Sequence, residues 1–408
     1  MNRKQFQILV ALGVVLGGAG LFVLRSQRDS YRVSDATSAQ KVLPSFPLND
    51  VERIRIKQSS GEVNLKKTDE LWRVDERSGY AANFSEISDL LRKVWELKPV
   101  REEKVGESQF GRLQLLPPDK GTNSATIVEF QDKAGKILQT ILLGKNYNRN
   151  SGDASGLGGG NAVGRYILIP EPKPAKVFLV GETFSNLETK PETWLNKDFF
   201  KIEKIKSVSV TSTNGSSWTL SRDKEGGELK LADAKEAEVL DQAKAGGAGN
   251  VLGFPSFNDV LPSTAKPEET GLNHPTVAKI STFENFVYTV NIGHGAGEEN
   301  HSLSLILEAN FPKERVPAPD EKPEDKEKLD KEFKDGLAKL ETKLKTEKSL
   351  EKWVFQVPKY VVDPLLKDRK DFFADKKDPK QPTAPTGLPG LPGAPGLPQG
   401  FPGIDDIK

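Results

Sequence analysis

Two copies of the string Lys-Asp-Phe-Phe, Lys197–Phe200 and Lys370–Phe373, each close a run of short strand-like segments. A chain that repeats the order of its elements is read as a tandem array of one fold unit. In the first run, Val51–Ile56 alternates apolar and charged residues with the period of a half-buried strand. Shorter strands are expected at 63–66 and 71–74. Ala82–Leu97 then places Ile87, Leu90, Leu91, Val94, Trp95 and Leu97 on one broad helical face. Four more strands are expected at 125–130, 137–143, 165–170 and 176–180, before a closing segment from Leu187 to Leu195.

The second run follows directly. Ile202–Lys206 resembles Val51–Arg55 in character. Short strands at 218–220 and 228–231 and a weaker helix at 234–243 come next. Thr270-Gly-Leu272 parallels Phe110-Gly-Arg-Leu113, and both lead to a strand pair. The pair 278–283 and 287–293 matches the one ending in Gly144, and 302–307 and 353–357 match the next two strands. The expected fold class is therefore α+β: an N-terminal transmembrane helix, two tandem duplicated modules of mainly antiparallel strands each with a packed helix, and a disordered Pro/Gly-rich tail. The expected boundaries are 1–28 for the anchor, 29–49 for a linker, 50–200 and 201–374 for the modules, and 375–408 for the tail. In each module the paired Phe are expected to anchor the last turn on the sheet, with Asp198 and Asp371 capping it.

The 19 residues Phe6–Leu24 carry no charge. As a helix they span about 28 Å, close to the roughly 30 Å hydrocarbon thickness of a bilayer. Arg25-Ser-Gln-Arg28 follows at once and makes a poor signal-peptidase site, so an uncleaved single-pass anchor is expected. Flanking basic residues are nearly balanced on the two sides. A short N-terminus with a long C-terminal part favours a soluble part outside the cytoplasm, that is, a periplasmic domain on the inner (cytoplasmic) membrane. Gly13 and Gly17 form a Gly-x-x-x-Gly, which either packs on another membrane helix or reflects the common use of Gly in such spans.

The second module carries a charged insertion at 312–351. Within it Leu329, Phe333, Leu337, Leu340 and Leu344 recur at helical spacing, a narrow apolar stripe. The stripe either packs back on its own module or takes a partner helix. Beyond Phe373 the chain turns to Lys, Asp and Pro, then to four Gly-X-Pro triplets, which fit an extended polyproline-II tail.

Chemistry-bearing motifs are sparse. There is no Cys, which excludes disulfides, thiol catalysis and Cys-ligated metal. A net charge of +1 provides no global field for nucleic acid. Gly156–Gly160 lies between two strands and reads as a hairpin loop, because a phosphate cradle needs a helix to follow. His294 and His301 flank a loop and could face each other; with His274 they are read as surface residues. Trp72, Trp95, Trp194, Trp218 and Trp353 are expected in the core. No catalytic, cofactor-binding or metal-binding residue is nominated, and no cofactor is expected.

Ile54, Ile56, Gly61, Leu65, Lys66, Trp72, Val74, Gly111, Leu113, Pro117, Gly144, Tyr166 and Val177-Phe178 together resemble the bacterial family called domain of unknown function 4340. The family usually has Gly-Leu where this chain has Gly111-Arg112-Leu113; Gly271-Leu272 fits better. The resemblance implies an envelope protein that accompanies ABC-type transport systems linked to gliding motility, and it carries over no catalytic residue. The expected function is a membrane-anchored, non-enzymatic accessory or scaffold protein whose partners are membrane proteins. A glycan- or lipid-binding module using the cleft between the two halves is the alternative.

Overall fold

The computed structural model describes residues 40–121, 123–148, 162–236, 238–261, 265–294, 299–317 and 321–374. The anchor expected at Phe6–Leu24, the Gly156–Gly160 loop and the tail at 375–408 lie outside them. No helix among the described residues is long and apolar enough to cross a membrane.

Two large antiparallel sheets and a few helices make a mixed α+β fold. The first sheet takes β1 (Arg53–Gln58), β2 (Gly61–Thr68), β3 (Leu71–Val74) and β4 (Tyr80–Ala81). After helix α1 (Phe84–Glu96) it takes β5 (Pro99–Glu103), β6 (Thr126–Gln131), β7 (Ile137–Asn148), β8 (Ala162–Ile169) and β9 (Lys176–Val180). The second takes β10 (Ile205–Thr211), β11 (Ser217–Ser221) and β12 (Lys230–Leu231). After helix α2 (Gln242–Gly249) it takes β13 (Asp259–Leu261), β14 (Thr276–Thr282), β15 (Phe286–His294), β16 (Asn300–Ala309) and β17 (Val354–Pro358). In space the orders are β4-β3-β2-β1-β6-β7-β8-β9-β5 and β12-β11-β10-β14-β15-β16-β17-β13. Apart from β4, they are the same order.

Alternation explains why these residues form strands. Ile54 and Ile56 of β1, Val63 and Leu65 of β2, and Val128 and Phe130 of β6 are buried on one face. On the other face Arg55 bonds Glu62 of β2 at 2.9 Å and Glu129 of β6 at 3.3 Å. α1 covers the apolar face with Ile87, Leu90 and Val94, and the Asn83 side chain caps it by accepting from the Ser85 N–H. Trp95 does not follow: it is exposed, with Lys41 Nζ 3.0 Å above its ring. Only Trp72, Trp194 and Trp218 are buried as expected; Trp353 is half-buried.

Registers match the sheets residue by residue. Ile54 pairs with Leu65 and Phe130 as Val208 pairs with Leu220 and Ile280. Thr126 opposite Leu143 corresponds to Thr276 opposite Ile292, which places Gly144 with Gly293. Ile167 opposite Phe178 corresponds to Leu303 opposite Phe355.

These matches correct four expectations. First, the two Lys-Asp-Phe-Phe strings are not equivalent. Asn83 donates its N–H to the Trp194 carbonyl, and Asp241 donates to that of Phe372. Leu195 likewise bridges Ala82 as Phe373 bridges Leu240. Lys370–Phe373 thus corresponds to the segment ending in Trp194-Leu195, whereas Lys197–Phe200 leads into the second sheet. Asp371 does accept the Asp368 N–H at 3.0 Å and completes a capping box. Asp198 plays no such part; its own N–H goes to Asn196 Oδ1. Second, Ile205 and not Ile202 corresponds to Val51, since Glu52 accepts from Lys67 N–H as Lys206 accepts from Arg222 N–H. Third, the helix expected at 234–243 lies at Gln242–Gly249, capped by Asp241. Its buried face is only Ala245, Ala248 and Gly249, and that of Gly249 presses on Leu229, so no apolar periodicity betrays it. Fourth, the residue corresponding to Gly271 is Gln114, not Gly111. Both take the left-handed conformation that ends a helical turn, with φ of 70° and 54°.

Candidate functional site

The sheets meet where the β3–β4 edge of the first reaches the β13–β17 edge of the second. Arg77, just after β3, donates to both carboxylate oxygens of Asp259 of β13 from Nε and Nη2, at 2.6 and 2.8 Å. The carboxylate holds the Arg77 pKa above its ordinary value. The Tyr80 ring stands edge-on to Trp353 at 5.1 Å and to Phe257 and Phe355 at 6.0 Å. Phe199, from the segment between the sheets, joins Phe257 at 5.0 Å and Phe355 at 4.7 Å. Lys197 Nζ donates to the Asn258 carbonyl at 2.8 Å, and burial lowers its pKa. Rings and ion pairs therefore fill this junction, and the two sheets share one continuous apolar core.

The insertion does a second job of covering. Its helix, α3 (Lys326–Lys348), lays Leu340 and Leu344 on the core of the second sheet. One turn on, Glu347 is buried and accepts from the Tyr288 hydroxyl at 2.7 Å and from the Lys201 N–H at 3.0 Å. Glu351 accepts from the Leu307 N–H at 2.8 Å. Desolvation pushes the Glu347 pKa up; the hydrogen bonds and Lys343, 4.0 Å away, oppose it. Farther up the helix, Leu329, Phe333 and Leu337 are half-buried. The stripe thus packs back on its own module at its C-terminal end.

In the first sheet no helix covers the corresponding place, although Ile169 and Phe178 are buried there all the same. By register Gln139 stands where Tyr288 stands, Ile169 where Leu305 stands and Phe178 where Phe355 stands. These three residues line a groove of about 430 Å³. Leu43, Pro44 and Phe46 form one wall, Pro99 and Glu102 of the β5 edge another, and Glu171, Pro172 and Lys176 of the β8–β9 turn a third. Phe46 holds its wall in place by packing edge-on to Phe130 at 5.1 Å. The β6–β7 ladder bulges just before Gln139, so Ile137 pairs with Gln131, and it is 51 % exposed. Sequence reading missed this groove, because the β5 edge, Pro-Val-Arg-Glu-Glu, has no strand-like alternation.

Chemical clusters are few. His294 and His301 are directly opposite in the β15–β16 register, as the loop spacing allowed. No group of three or more metal-ligating residues occurs among the described residues. A cavity of about 460 Å³ is lined by Arg53, Lys66, Lys67 and Lys133 and by Glu52, Asp69 and Glu70, so its charges nearly balance. The strands flanking Gly156–Gly160 pair as a hairpin, Asn148 opposite Ala162.

Comparison with curated proteins and with solved structures gives no match. A family described as a domain of unknown function does match, over residues 72–275. That stretch runs from Trp72 of β3 to the residue before β14. It takes in Arg77, Tyr80, Phe199, Phe257 and Asp259, the residues that join the two sheets. By that match this chain belongs to the DUF4340 family.

Proposed function

We propose that this chain is a membrane-anchored, non-enzymatic accessory or scaffold protein of the bacterial envelope, which works through its surfaces. The continuous core that the two sheets share supports the reading most. It fuses two sheets of like order into one body and leaves the β5 edge, a groove and the half-buried N-terminal part of the α3 stripe for partners. Two sheets with the same order and matching registers also support a tandem duplication with modules at 50–200 and 201–374. In this reading the apolar stretch Phe6–Leu24 is the anchor and the soluble part lies in the periplasm. Its partners are membrane proteins, with subunits of an ABC-type transport system the first to test, and Leu329, Phe333 and Leu337 offer one helix-packing surface. The glycan- or lipid-binding alternative needs a cleft between the sheets, where aromatic rings are packed instead.

The test is carbonate extraction followed by affinity purification of the full chain from detergent-solubilised membranes. The reading expects the chain to stay with the carbonate-washed membrane and to bring integral membrane proteins with it. Release by carbonate, or recovery alone across detergents, would refute it.

A further inference from the structure

Helix α1 has two apolar faces, and the core takes only one of them. Ile87, Leu90 and Val94 are buried against the sheet. Phe84, Leu91 and Trp95, spaced by seven and four residues, line up on a different side. On that side Phe84 is 66 % and Trp95 42 % exposed. Leu71 of β3, 56 % exposed, extends the patch. Two adjoining hollows share Trp72 and Phe84; Leu71 lines one of them, and Leu91 and Trp95 line the other. The exposed apolar side chains are therefore neighbours on one surface. Resting on the function proposed above, we infer that this patch lies on the bilayer that holds the anchor, with Leu71, Phe84 and Trp95 inserted at the headgroup level.

The place where the chain arrives identifies the occupant. Val42 donates its N–H to the Leu97 carbonyl at 2.8 Å, and Lys41 stands over the Trp95 ring. The polypeptide coming from the apolar stretch Phe6–Leu24 is thus pinned at the Trp95 end of the patch. Only residues 25–39 lie between Leu24 and the first described residue, Gln40, a reach of at most about 50 Å when fully extended. So short a tether holds the patch beside the bilayer surface, where individually weak contacts suffice. The residue types suit that surface. Tryptophan rings settle at the headgroup level, and lysines reach past them to the phosphates. An apolar helix face of this kind sinks about 5–10 Å into that layer. The charges around the patch are answered locally: Lys67 pairs with Glu70 at 2.6 Å, and Arg92 with Asp89 at 2.6 Å and Glu96 at 3.2 Å. Insertion of the apolar side chains therefore drives the contact, and a zwitterionic bilayer is enough.

The chain has no Cys, so Ser88→Cys, within the patch, gives a unique site for a nitroxide label. The test uses the full-length labelled chain in phosphatidylcholine nanodiscs. It reads the label's collisions with oxygen, which concentrates in lipid, and with a water-soluble nickel chelate. The oxygen-to-nickel ratio is expected to be at least about tenfold above that of the same chain also carrying Leu71→Ser and Phe84→Ser. Both of those substitutions fall at exposed positions, so the melting temperature is expected to stay unchanged. A ratio indifferent to the two substitutions would overturn the inference, and so would a label open to nickel in both chains. A fall in both collision rates marks cover by protein, by residues 25–39, by the tail or by a second copy, and overturns it too. If the chain still resists carbonate and still copurifies with membrane proteins, the patch alone is refuted and the scaffold reading stands.

Discussion

The Tyr288 hydroxyl donates to the Glu347 carboxylate at 2.7 Å, and this one bond ties the inserted helix to the middle of the second sheet. Both partners are buried. The second Glu347 oxygen accepts from the Lys201 N–H, so the carboxylate also holds the segment that enters the sheet. A buried carboxylate satisfied on both oxygens specifies one position for a helix whose remaining surface is highly charged.

That bond has a pH signature. Burial raises the Glu347 pKa above its ordinary 4.5. Between the ordinary and the raised value the folded chain binds more protons than the unfolded one, so this group's contribution to stability falls as pH rises. Glu347→Gln removes that dependence. The melting temperature of the variant, measured against the unmodified chain from pH 4 upward, is expected to gain on it as pH rises and then level off. A constant difference across the range would refute the argument.

Gly144 and Gly293 occupy one position in the two sheets, and a backbone carbonyl lies against each: Leu113 O on Gly144 and Thr270 O on Gly293. A methyl group there would overlap backbone that cannot swing away. Gly144→Ala and Gly293→Ala are each expected to cost about 1–3 kcal/mol or more in denaturant titrations. Gly336→Ala is the control, since nothing lies near its would-be Cβ; it is expected to stabilise α3 by up to about 1 kcal/mol.

What the sequence made legible follows from the same geometry. Strands with strict alternation, such as β1, β6 and β14, could be read because one face is buried and the other solvated. The order of the second run could be read for the same reason. β4, β5 and β13 could not, because two to five residues at a sheet edge carry no period. Gln114 hid a left-handed turn that is normally signalled by glycine, and α2 hid in a run of Ala and Gly. The Lys-Asp-Phe-Phe recurrence pointed to the right conclusion about order through residues that are not equivalent. The groove was not legible at all, because it is defined by a helix present on one sheet and missing from the turn of the other.

The Arg77–Asp259 ion pair links the end of β3 in one sheet to β13 in the other. The pair is bidentate and mostly shielded, so its coupling exceeds that of a surface ion pair. A double-mutant cycle with Arg77→Ala and Asp259→Ala is expected to give about 1.5–3 kcal/mol of coupling by chemical denaturation. A value near zero would show that the aromatic contacts alone hold the junction.

Across that junction the Tyr80 ring meets Trp353, Phe257 and Phe355 together. Truncation to Ala leaves a cavity among rings that cannot collapse onto it, at a cost of about 3–5 kcal/mol. Tyr80→Phe keeps the ring and is expected to cost less than about 1.5 kcal/mol. The two substitutions also separate global from local loss. If the junction is what makes the sheets one cooperative unit, Tyr80→Ala splits a single unfolding transition into two in calorimetry, while Tyr80→Phe leaves it single. A single transition in both variants would mean that the shared core couples the sheets without Tyr80.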